Sequence, residues 1–176
     1  IILDKERLHV ELKLLDAETQ DAGKTDLKKT TIEKMLNEGR LDEWHAYWLA
    51  EQLLWFKSLG LNMDKIKVRE HKKSELSHYS SATFDMDYEY PFGSKEIAGN
   101  ANRGQYDLNQ HVKESKKDLS IFDEKTNSKI IPRVIEPTFG MDRLFLAVIV
   151  NSYDDDKERG NIVLRLSPNL APIKVA

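Results

Sequence analysis

Between residues 82 and 90 the chain alternates strictly between apolar and polar side chains. The polar face carries Asp85, Asp87 and Glu89, and the apolar face carries Ala82, Phe84, Met86, Tyr88 and Tyr90. A period of two residues is typical of a strand with one buried face. Shorter apolar runs predict further strands at 95–99, at 133–135, at 162–166 and within 1–16.

Two helices are predicted in the first third of the chain, where apolar residues recur every three or four positions. One spans 25–37, with Thr25 as its cap and Gly39 as its stop. The other spans 42–59, and its apolar stripe includes Trp44, Trp48 and Trp55. We expect the tryptophans to fill a core or a dimer interface, because large aromatic rings on a helix face are usually buried. The alternative is a stacking platform for bases.

The rest of the chain mixes one apolar helix with polar segments. The helix that begins at Gly140 is apolar on nearly all sides, which predicts burial. Residues 118–131 predict a surface hairpin that turns at 126–128, whereas 100–110 and 153–160 are polar and irregular. Strands with one polar face and helices of unequal burial together predict an α+β fold with a mainly antiparallel sheet flanked by helices.

Composition excludes several classes of protein. Apolar residues make up 40% and charged residues 32% of the 176 positions, as in a folded soluble domain. The absence of cysteine rules out disulfides and thiolate chemistry. No apolar run approaches the roughly 20 residues that span a bilayer, and there is no secretion signal, so we expect a cytoplasmic protein without a membrane segment. The net charge of −3 offers no overall basic surface for nucleic acid.

Both ends of the chain predict a fragment. The chain begins with Ile1 and Ile2 instead of Met, and it closes on 173–176, which has the pattern of a strand that has just begun. Ordinary termini are polar and frayed. We therefore expect a segment of a longer protein.

The acidic face of residues 85–89 is one candidate for chemistry. Asp85, Asp87 and Glu89 could bind a divalent cation, since such cations take several carboxylate oxygens. A solvated sheet face is the favoured interpretation from spacing alone. The five histidines do not have the spacing of a metal site, and structural roles are expected for them.

Residues 136–143 are the stronger candidate. Glu136 ends a predicted strand, a proline-glycine turn follows, and Arg143 lies in the first turn of the apolar helix. A guanidinium in this position could stack on an aromatic base or bind phosphate through two N–H groups. The spacing equally allows a structural ion pair of Arg143 with Asp142 or Glu136.

The stretch 135–147, which contains the sequence Glu136-Pro137-Thr138-Phe139-Gly140-Met141-Asp142-Arg143, resembles motif 3 of class II glycyl-tRNA synthetases. Further stretches resemble the same family in the same order, at 43–61, 69–85, 90–93, 96–111 and 166–172. The resemblance implies that 41–168 is the later half of the catalytic core and that 169–176 begins the link to an anticodon-binding domain. Residues 1–40 stay unplaced, with an insertion as one interpretation.

The resemblance also implies roles for five residues. Arg143 resembles the arginine that stacks on adenine and meets the triphosphate, and Glu96 resembles the carboxylate that helps to hold Mg-ATP. Arg103 is similar to the arginine on the glycine carboxylate. Glu136 and Thr138 correspond to the carboxylate and hydroxyl that receive the amino group, although relatives commonly carry Ser at the position of Thr138. The glycine pocket would have to be too small for a β-carbon.

The reaction implied is the ATP- and Mg²⁺-dependent activation of glycine to glycyl-adenylate and its transfer to tRNA(Gly) by a homodimeric enzyme. Three positions depart from the family pattern, namely Ser94, Asn100 and Gln105. Motifs 1 and 2 are not recognisable, so we do not expect this chain alone to form the adenylate at a useful rate. The alternative is a catalytically silent synthetase-like module that binds a nucleotide, an RNA or a protein.

Overall fold

A computed structural model describes residues 3–174 of the chain. Its helices are α1 (Lys5–Leu8), α2 (Ala17–Asp21), α3 (Ile32–Asn37), α4 (Glu43–Ser58), α5 (Tyr106–Ser115) and α6 (Met141–Ser152). Its strands are β1 (Glu11–Leu15), β2 (Lys28–Thr31), β3 (Ile66–Glu70), β4 (Ala82–Tyr90), β5 (Gly93–Gly104), β6 (Ile121–Asp123), β7 (Ser128–Ile130), β8 (Val134–Phe139), β9 (Tyr153–Asp156) and β10 (Asn161–Leu164).

Six strands form the central sheet, in the order β2-β1-β3-β4-β5-β8. The pairing of β1 with β3 is parallel, and the other four pairings are antiparallel. Helices pack on this sheet, so the predicted α+β architecture with a mainly antiparallel sheet is confirmed. Residues 11–15 and 28–31 extend the sheet by two strands, so part of the unplaced segment 1–40 belongs to the same folded unit.

Strand β4 has the burial that its alternation predicts. Phe84, Met86 and Tyr88 are completely buried and Tyr90 nearly so, whereas Glu89 on the other face is exposed. The apolar face packs with α4 around one core. Neighbouring β5 is longer than predicted and continues to Gly104, because its later residues, although polar, pair with β4 on one side and β8 on the other.

Helix α4 is where it was predicted, but its tryptophans are not on its buried side. Ala46, Leu49 and Phe56 are buried, whereas Trp44 and Trp48 are 52% and 39% exposed. Trp55 is also exposed, at 38%, so the three tryptophans do not fill the core of this chain, and their place in a dimer interface stays a prediction. The helix is apolar on more than one side, so its periodicity does not decide which side packs. Smaller side chains face the sheet and allow a close approach of helix and strands.

Other sequence predictions need correction. The helix predicted at 25–37 is divided into β2 and α3, and its cap is Thr31, whose hydroxyl accepts from the backbone N–H of Lys34 at 3.2 Å. Residues 100–110 continue β5 and begin α5, and 153–160 contain β9 paired with β10. The hairpin predicted within 118–131 is confirmed as β6 and β7.

Helix α6 is confirmed in position but is less buried than predicted. Only Leu144, Ala147 and Ser152 are buried among its residues, and Phe145 is 68% exposed. The strand expected at the end of the chain is absent at Ile173 and Lys174, and the remaining residues 175–176 lie outside the described part. No helix within the described residues has both the length and the apolar character needed to cross a membrane.

Candidate active site

Three of the predicted site residues, Arg103, Glu136 and Thr138, lie on the face of the central sheet that is turned away from α4, whereas Arg143 belongs to α6. One row of positions crosses three strands on this face, with Asp85 opposite Gly99 and Gly99 opposite Thr138. The next position of β8 on the same face is Glu136, opposite Ala101. Residues directly opposite in a sheet share a face because side chains alternate along each strand. The register therefore brings residues from distant stretches of the chain onto one surface.

Arg103, at the end of β5, is held from several sides. Its Nε and Nη2 atoms donate to the two oxygens of Asp107 at 2.6 and 2.8 Å, and its Nη1 donates to Oε2 of Glu136 at 2.7 Å. The Tyr79 ring lies against the guanidinium, with 3.9 Å between its centroid and Cζ. The hydrogen bonds to Asp107 and Glu136 raise the pKa of Arg103, and the bond from Arg103 lowers the pKa of Asp107. The cation is thus fixed in place and permanently charged.

Asp107 and Tyr79 were not among the site residues predicted from the sequence. Arg103 and Asp107 are four positions apart, a spacing that indicates a pair only within a helix. Here Arg103 ends a strand and Asp107 begins α5. Gly104 connects them in the left-handed region, with φ of +56°, where glycine is strongly preferred. The glycine between them is the signal that could have indicated a sharp turn and hence the contact.

Because Gly99 has no side chain, a narrow space is open between its cross-strand neighbours Asp85 and Thr138. A Cβ atom placed on Gly99 would lie 3.1 Å from Oγ1 of Thr138 and 3.6 Å from Oδ1 of Asp85. The Thr138 hydroxyl donates a long hydrogen bond of 3.4 Å to the carbonyl oxygen of Gly99. We call the space between Asp85 and Thr138, above Gly99, the glycine slot.

Asp85 is not the solvated carboxylate that the strand pattern favoured. It is only 6% exposed, and its Oδ2 accepts from Nη2 of Arg69 and from Nε2 of His71, the latter at 2.6 Å. Arg69 stands opposite Asp85 in the pairing of β3 with β4. That interpretation was therefore wrong for Asp85, because the neighbouring strand supplies a cation. The structural role expected for His71 stays a prediction, and the structure shows its contact with Asp85.

Arg143 and Glu96 form a second contact, between α6 and β5. Nη1 of Arg143 donates to the backbone carbonyl oxygen of Glu96 at 2.9 Å. The structural ion pairs considered for Arg143 are not formed, since Asp142 does not bond to it and Glu136 is bound by Arg103. Partial burial, followed by the charge of Asp85, raises the pKa of Glu96, and the charge of Arg143 opposes that rise. A cation near Glu96 would therefore stabilise its ionised form.

Buried polar contacts with α4 hold the strands beneath the glycine slot. Nε2 of Gln52 donates to the carbonyl oxygens of Gly99 at 3.0 Å and Thr138 at 3.2 Å, and Oε1 accepts from Nδ2 of Asn100 at 2.8 Å. Nε2 of His45 donates to the carbonyl oxygen of Asn100 at 3.2 Å, and burial lowers the pKa of that histidine. Asn100, one of the departures from the family pattern, thus has a matching partner in Gln52.

Curated proteins named glycine–tRNA ligase are similar to this chain. The one from Clostridium tetani is 47% identical over 137 residues, which are 76% of this chain and 30% of the relative. The one from Thermobifida fusca is 40% identical over 161 residues, covering 86% and 35% of the two chains. The one from Caldanaerobacter subterraneus is 43% identical over 153 residues, covering 86% and 33%. No protein-family profile matches the chain.

The sequence matches a glycyl-tRNA synthetase segment. It spans about a third of the length of the curated relatives that it matches. The resemblance seen in the motifs is therefore confirmed. Within this synthetase segment, the structure brings Arg103 together with Glu136, Arg143 together with Glu96, and Thr138 next to Gly99.

The sequence-predicted metal residue is Glu96. Within residues 3–174, no group of three or more His, Cys, Asp or Glu side chains could hold a metal ion. Mg²⁺ is usually bound by one or two carboxylates together with water and substrate phosphates. Glu96 could supply one such carboxylate.

Proposed function

We propose that the full-length protein is a glycine–tRNA ligase with a class II catalytic core. It activates glycine with ATP and Mg²⁺ to glycyl-adenylate, transfers the glycyl group to tRNA(Gly), and works as a homodimer in the cytoplasm. The observation that carries the proposal is the cluster of Arg103, Glu136, Thr138 and Gly99 on one sheet face, in a chain similar to curated glycine–tRNA ligases. No contact or match favours the silent-module alternative.

Arg103 binds the carboxylate of glycine in this proposal. A guanidinium has five N–H groups, and three of them bond to Asp107 and Glu136. Two N–H groups remain for a substrate carboxylate, which matches the two-oxygen geometry that arginine recognises best. The Tyr79 ring and the Asp107 carboxylate prevent the guanidinium from rotating away. The Arg103 side chain is therefore preorganised before the substrate binds, so binding costs little side-chain entropy.

Selection of glycine over larger amino acids depends on close spacing near the glycine slot. Glu136 and Thr138 accept hydrogen bonds from the amino group in this proposal. The Thr138 methyl group, absent from the serine that relatives commonly carry, narrows the surface around Gly99. A rigid pocket that has no room for a β-carbon rejects alanine and serine by steric exclusion, which is stronger than a preference for apolar contact.

Arg143 and Glu96 bind the nucleotide. Among the described residues Arg143 forms no ion pair, so its charge is available for a phosphate group, while its bond to the Glu96 carbonyl oxygen fixes its direction. Mg²⁺, held by Glu96 and the phosphates, supplies positive charge against the charge that develops on the α-phosphate. A fixed arginine and a carboxylate side by side can thus orient Mg-ATP next to the glycine slot.

The domain boundaries follow the same proposal. Residues 41–168 form the later half of the catalytic core, and 169–176 begin the link to an anticodon-binding domain. Residues 1–40 precede these family elements and, through β1 and β2, extend the sheet beyond β3. The remaining parts of the core, with motifs 1 and 2, lie elsewhere in the full-length protein.

Glycine-dependent exchange of pyrophosphate into ATP by the full-length protein tests the proposal. Replacement of Arg143 by Ala removes one fixed positive donor, and we expect a rate loss of about 100-fold or more. Arg159→Ala, at an exposed arginine of the β9–β10 turn, is the matched control and should change the rate less than twofold. Glycine activation by Arg143→Ala within a few-fold of the unmodified protein would contradict the proposal.

A further inference from the structure

The glycine slot contains two hydrogen-bond acceptors that face each other across a strand without a side chain. Oδ1 of Asp85 lies on one side and Oγ1 of Thr138 on the other, at 3.6 and 3.1 Å from the position that a Cβ of Gly99 would occupy. The floor between them is the backbone of β5. The slot is therefore wide enough for one small chemical group, with a carboxylate on one side and a hydroxyl on the other.

Asp85 has one oxygen in use and one free to accept. Oδ2 is bound by Arg69 and His71, which orient the carboxylate. Oδ1 accepts no hydrogen bond within residues 3–174. Oδ1 therefore keeps its lone pairs for a donor that enters the slot, while Arg69 and His71 at Oδ2 fix its direction.

Thr138 completes the pair of acceptors. Its hydroxyl hydrogen points to the carbonyl oxygen of Gly99, which leaves the lone pairs of Oγ1 for another donor. Glu136 accepts from Arg103 through Oε2, which leaves Oε1 for a further donor. Glu136 is opposite Ala101, two positions from Gly99, so its backbone lies about 7 Å from the slot along the strand. This register places the Arg103–Glu136 pair next to the slot, so the carboxylate of glycine can bind Arg103 while its amino group enters the slot.

We infer that Asp85 is a further specificity-determining residue, whose Oδ1 accepts a hydrogen bond from the ammonium group of the amino-acid substrate in the glycine slot. This inference rests on the proposed glycine–tRNA ligase activity. A carboxylate in the slot selects a positively charged amino group over a hydroxyl or a hydrogen at the same position. Arg69 and His71 act through Asp85 as positioning residues, because they hold the carboxylate with Oδ1 toward Gly99.

The test compares two ligands that differ only in the amino group. Glycyl-sulfamoyl adenosine carries the ammonium group, and acetyl-sulfamoyl adenosine has hydrogen in its place. We measure the dissociation constants of both by calorimetry with the full-length protein, unmodified and with Asp85→Asn. Loss of a charged hydrogen bond predicts that the substitution weakens the glycyl ligand by at least about tenfold and the acetyl ligand by less than threefold.

Two further variants keep the test independent of folding defects. Glu89→Gln removes an exposed acid from the same face of β4 and should leave both dissociation constants unchanged. Gly99→Ala leaves the Asp85–Arg69–His71 contacts intact but fills the slot, and it should weaken the glycyl ligand by at least about tenfold while ATP binding persists.

Equal weakening of both ligands by Asp85→Asn would show a merely structural role and overturn the inference. The same conclusion would follow if neither ligand were weakened, or if Gly99→Ala bound the glycyl ligand normally. Failure of the proposed function would look different. In that case the unmodified protein would bind the glycyl ligand no better than its alanyl and seryl counterparts.

Discussion

Single residues in this site are held by partners that come from other elements. Arg103 ends β5, but its direction is set by Asp107 of α5, Glu136 of β8 and Tyr79 of the loop before β4. If any one of these partners is removed, the Arg103 guanidinium stays charged, but its orientation is less well fixed. The effect of such a change should therefore appear in substrate binding more than in the chemical step.

Asp107→Asn is the variant that separates these effects. The amide of Asn keeps one oxygen that can accept a hydrogen bond, but it lacks the negative charge and the second oxygen that now accept from Nε and Nη2 of Arg103. We expect the KM for glycine to rise about tenfold, with kcat and the KM for ATP changing less than threefold. Steady-state pyrophosphate exchange by the full-length protein measures all three.

Glu114→Gln, an exposed acid on the same helix α5, is the control and should behave as the unmodified protein does. A fall in kcat without a change in the KM for glycine would contradict the positioning role of Asp107.

The sequence named most of the polar side chains on this surface but not their pairing. Glu136 and Arg103 were separate candidates, and only the register of β5 with β8 brings them together. Asp85 was interpreted as solvated because a strand pattern contains no information on the opposite strand. Its partner Arg69 is 16 positions away in the sequence.

Helix α4 determines how the strands beneath the site are spaced. Its buried polar residue Gln52 bonds to the backbone of β5 and β8 at Gly99 and Thr138, directly below the glycine slot. The same side chain accepts a hydrogen bond from Nδ2 of Asn100. The helix therefore supports the substrate face from behind without contacting it.

Gln52→Leu tests this support. Leucine keeps the approximate volume but removes both the donor and the acceptor. The carbonyl oxygens of Gly99 and Thr138 and Nδ2 of Asn100 then each lose the hydrogen bond that Gln52 forms. We expect the free energy of unfolding to fall by about 3 kcal/mol. Urea unfolding measures it. Gln110→Leu, at an exposed position of α5, is the matched control, and an equal effect in both variants would contradict the role of Gln52.

Asp16, at the end of β1, contacts α2 and β2 through its carboxylate, and its pKa makes the stability of the fold depend on pH. Burial alone would raise its pKa, but Lys28 and Thr19 donate hydrogen bonds to it and lower the pKa from 3.8 to about 2. A lowered pKa contributes stability above pH 4 and loses it as the pH falls toward 2. At about 1.4 kcal/mol for each pKa unit, Asp16→Asn should cost about 2 kcal/mol at pH 7.

Urea unfolding between pH 7 and pH 3 checks this prediction. The difference between Asp16→Asn and the unmodified chain should be constant near neutrality and shrink below about pH 4. Asp26→Asn, in the exposed segment before β2, should show no such difference. If the difference in free energy of unfolding grew as the pH fell, the pKa of Asp16 would be raised in the folded state and not lowered, which would contradict the prediction.

Helices and strands whose apolar residues recur with one clear period were predictable from the sequence. Elements in which apolar and polar residues are mixed were not. The strict alternation of residues 82–90 predicted both β4 and its buried face. Helix α4 was predicted in position but not in orientation, because apolar residues occur on several of its sides. The second half of β5 was missed because Asn100, Asn102 and Arg103 are polar, and their partners lie on α4, β8 and α5.

At the scale of the whole molecule, the described residues expose large apolar side chains on α4 and α6. Trp44, Trp48 and Phe145 are 52%, 39% and 68% exposed. The chain spans about a third of the length of its curated relatives. We expect the remaining parts of the full-length protein, or a second subunit, to pack on these side chains, since exposed apolar patches are typical of interaction surfaces.

The proposed site accepts glycine and excludes larger amino acids. Calorimetry of glycyl-, alanyl- and seryl-sulfamoyl adenosine binding to the full-length protein measures this selectivity. We expect the glycyl compound to bind at least about 100-fold more tightly than the other two, because a rigid pocket without room for a β-carbon excludes them sterically. Binding of the alanyl compound within a few-fold of the glycyl compound would contradict the proposed site.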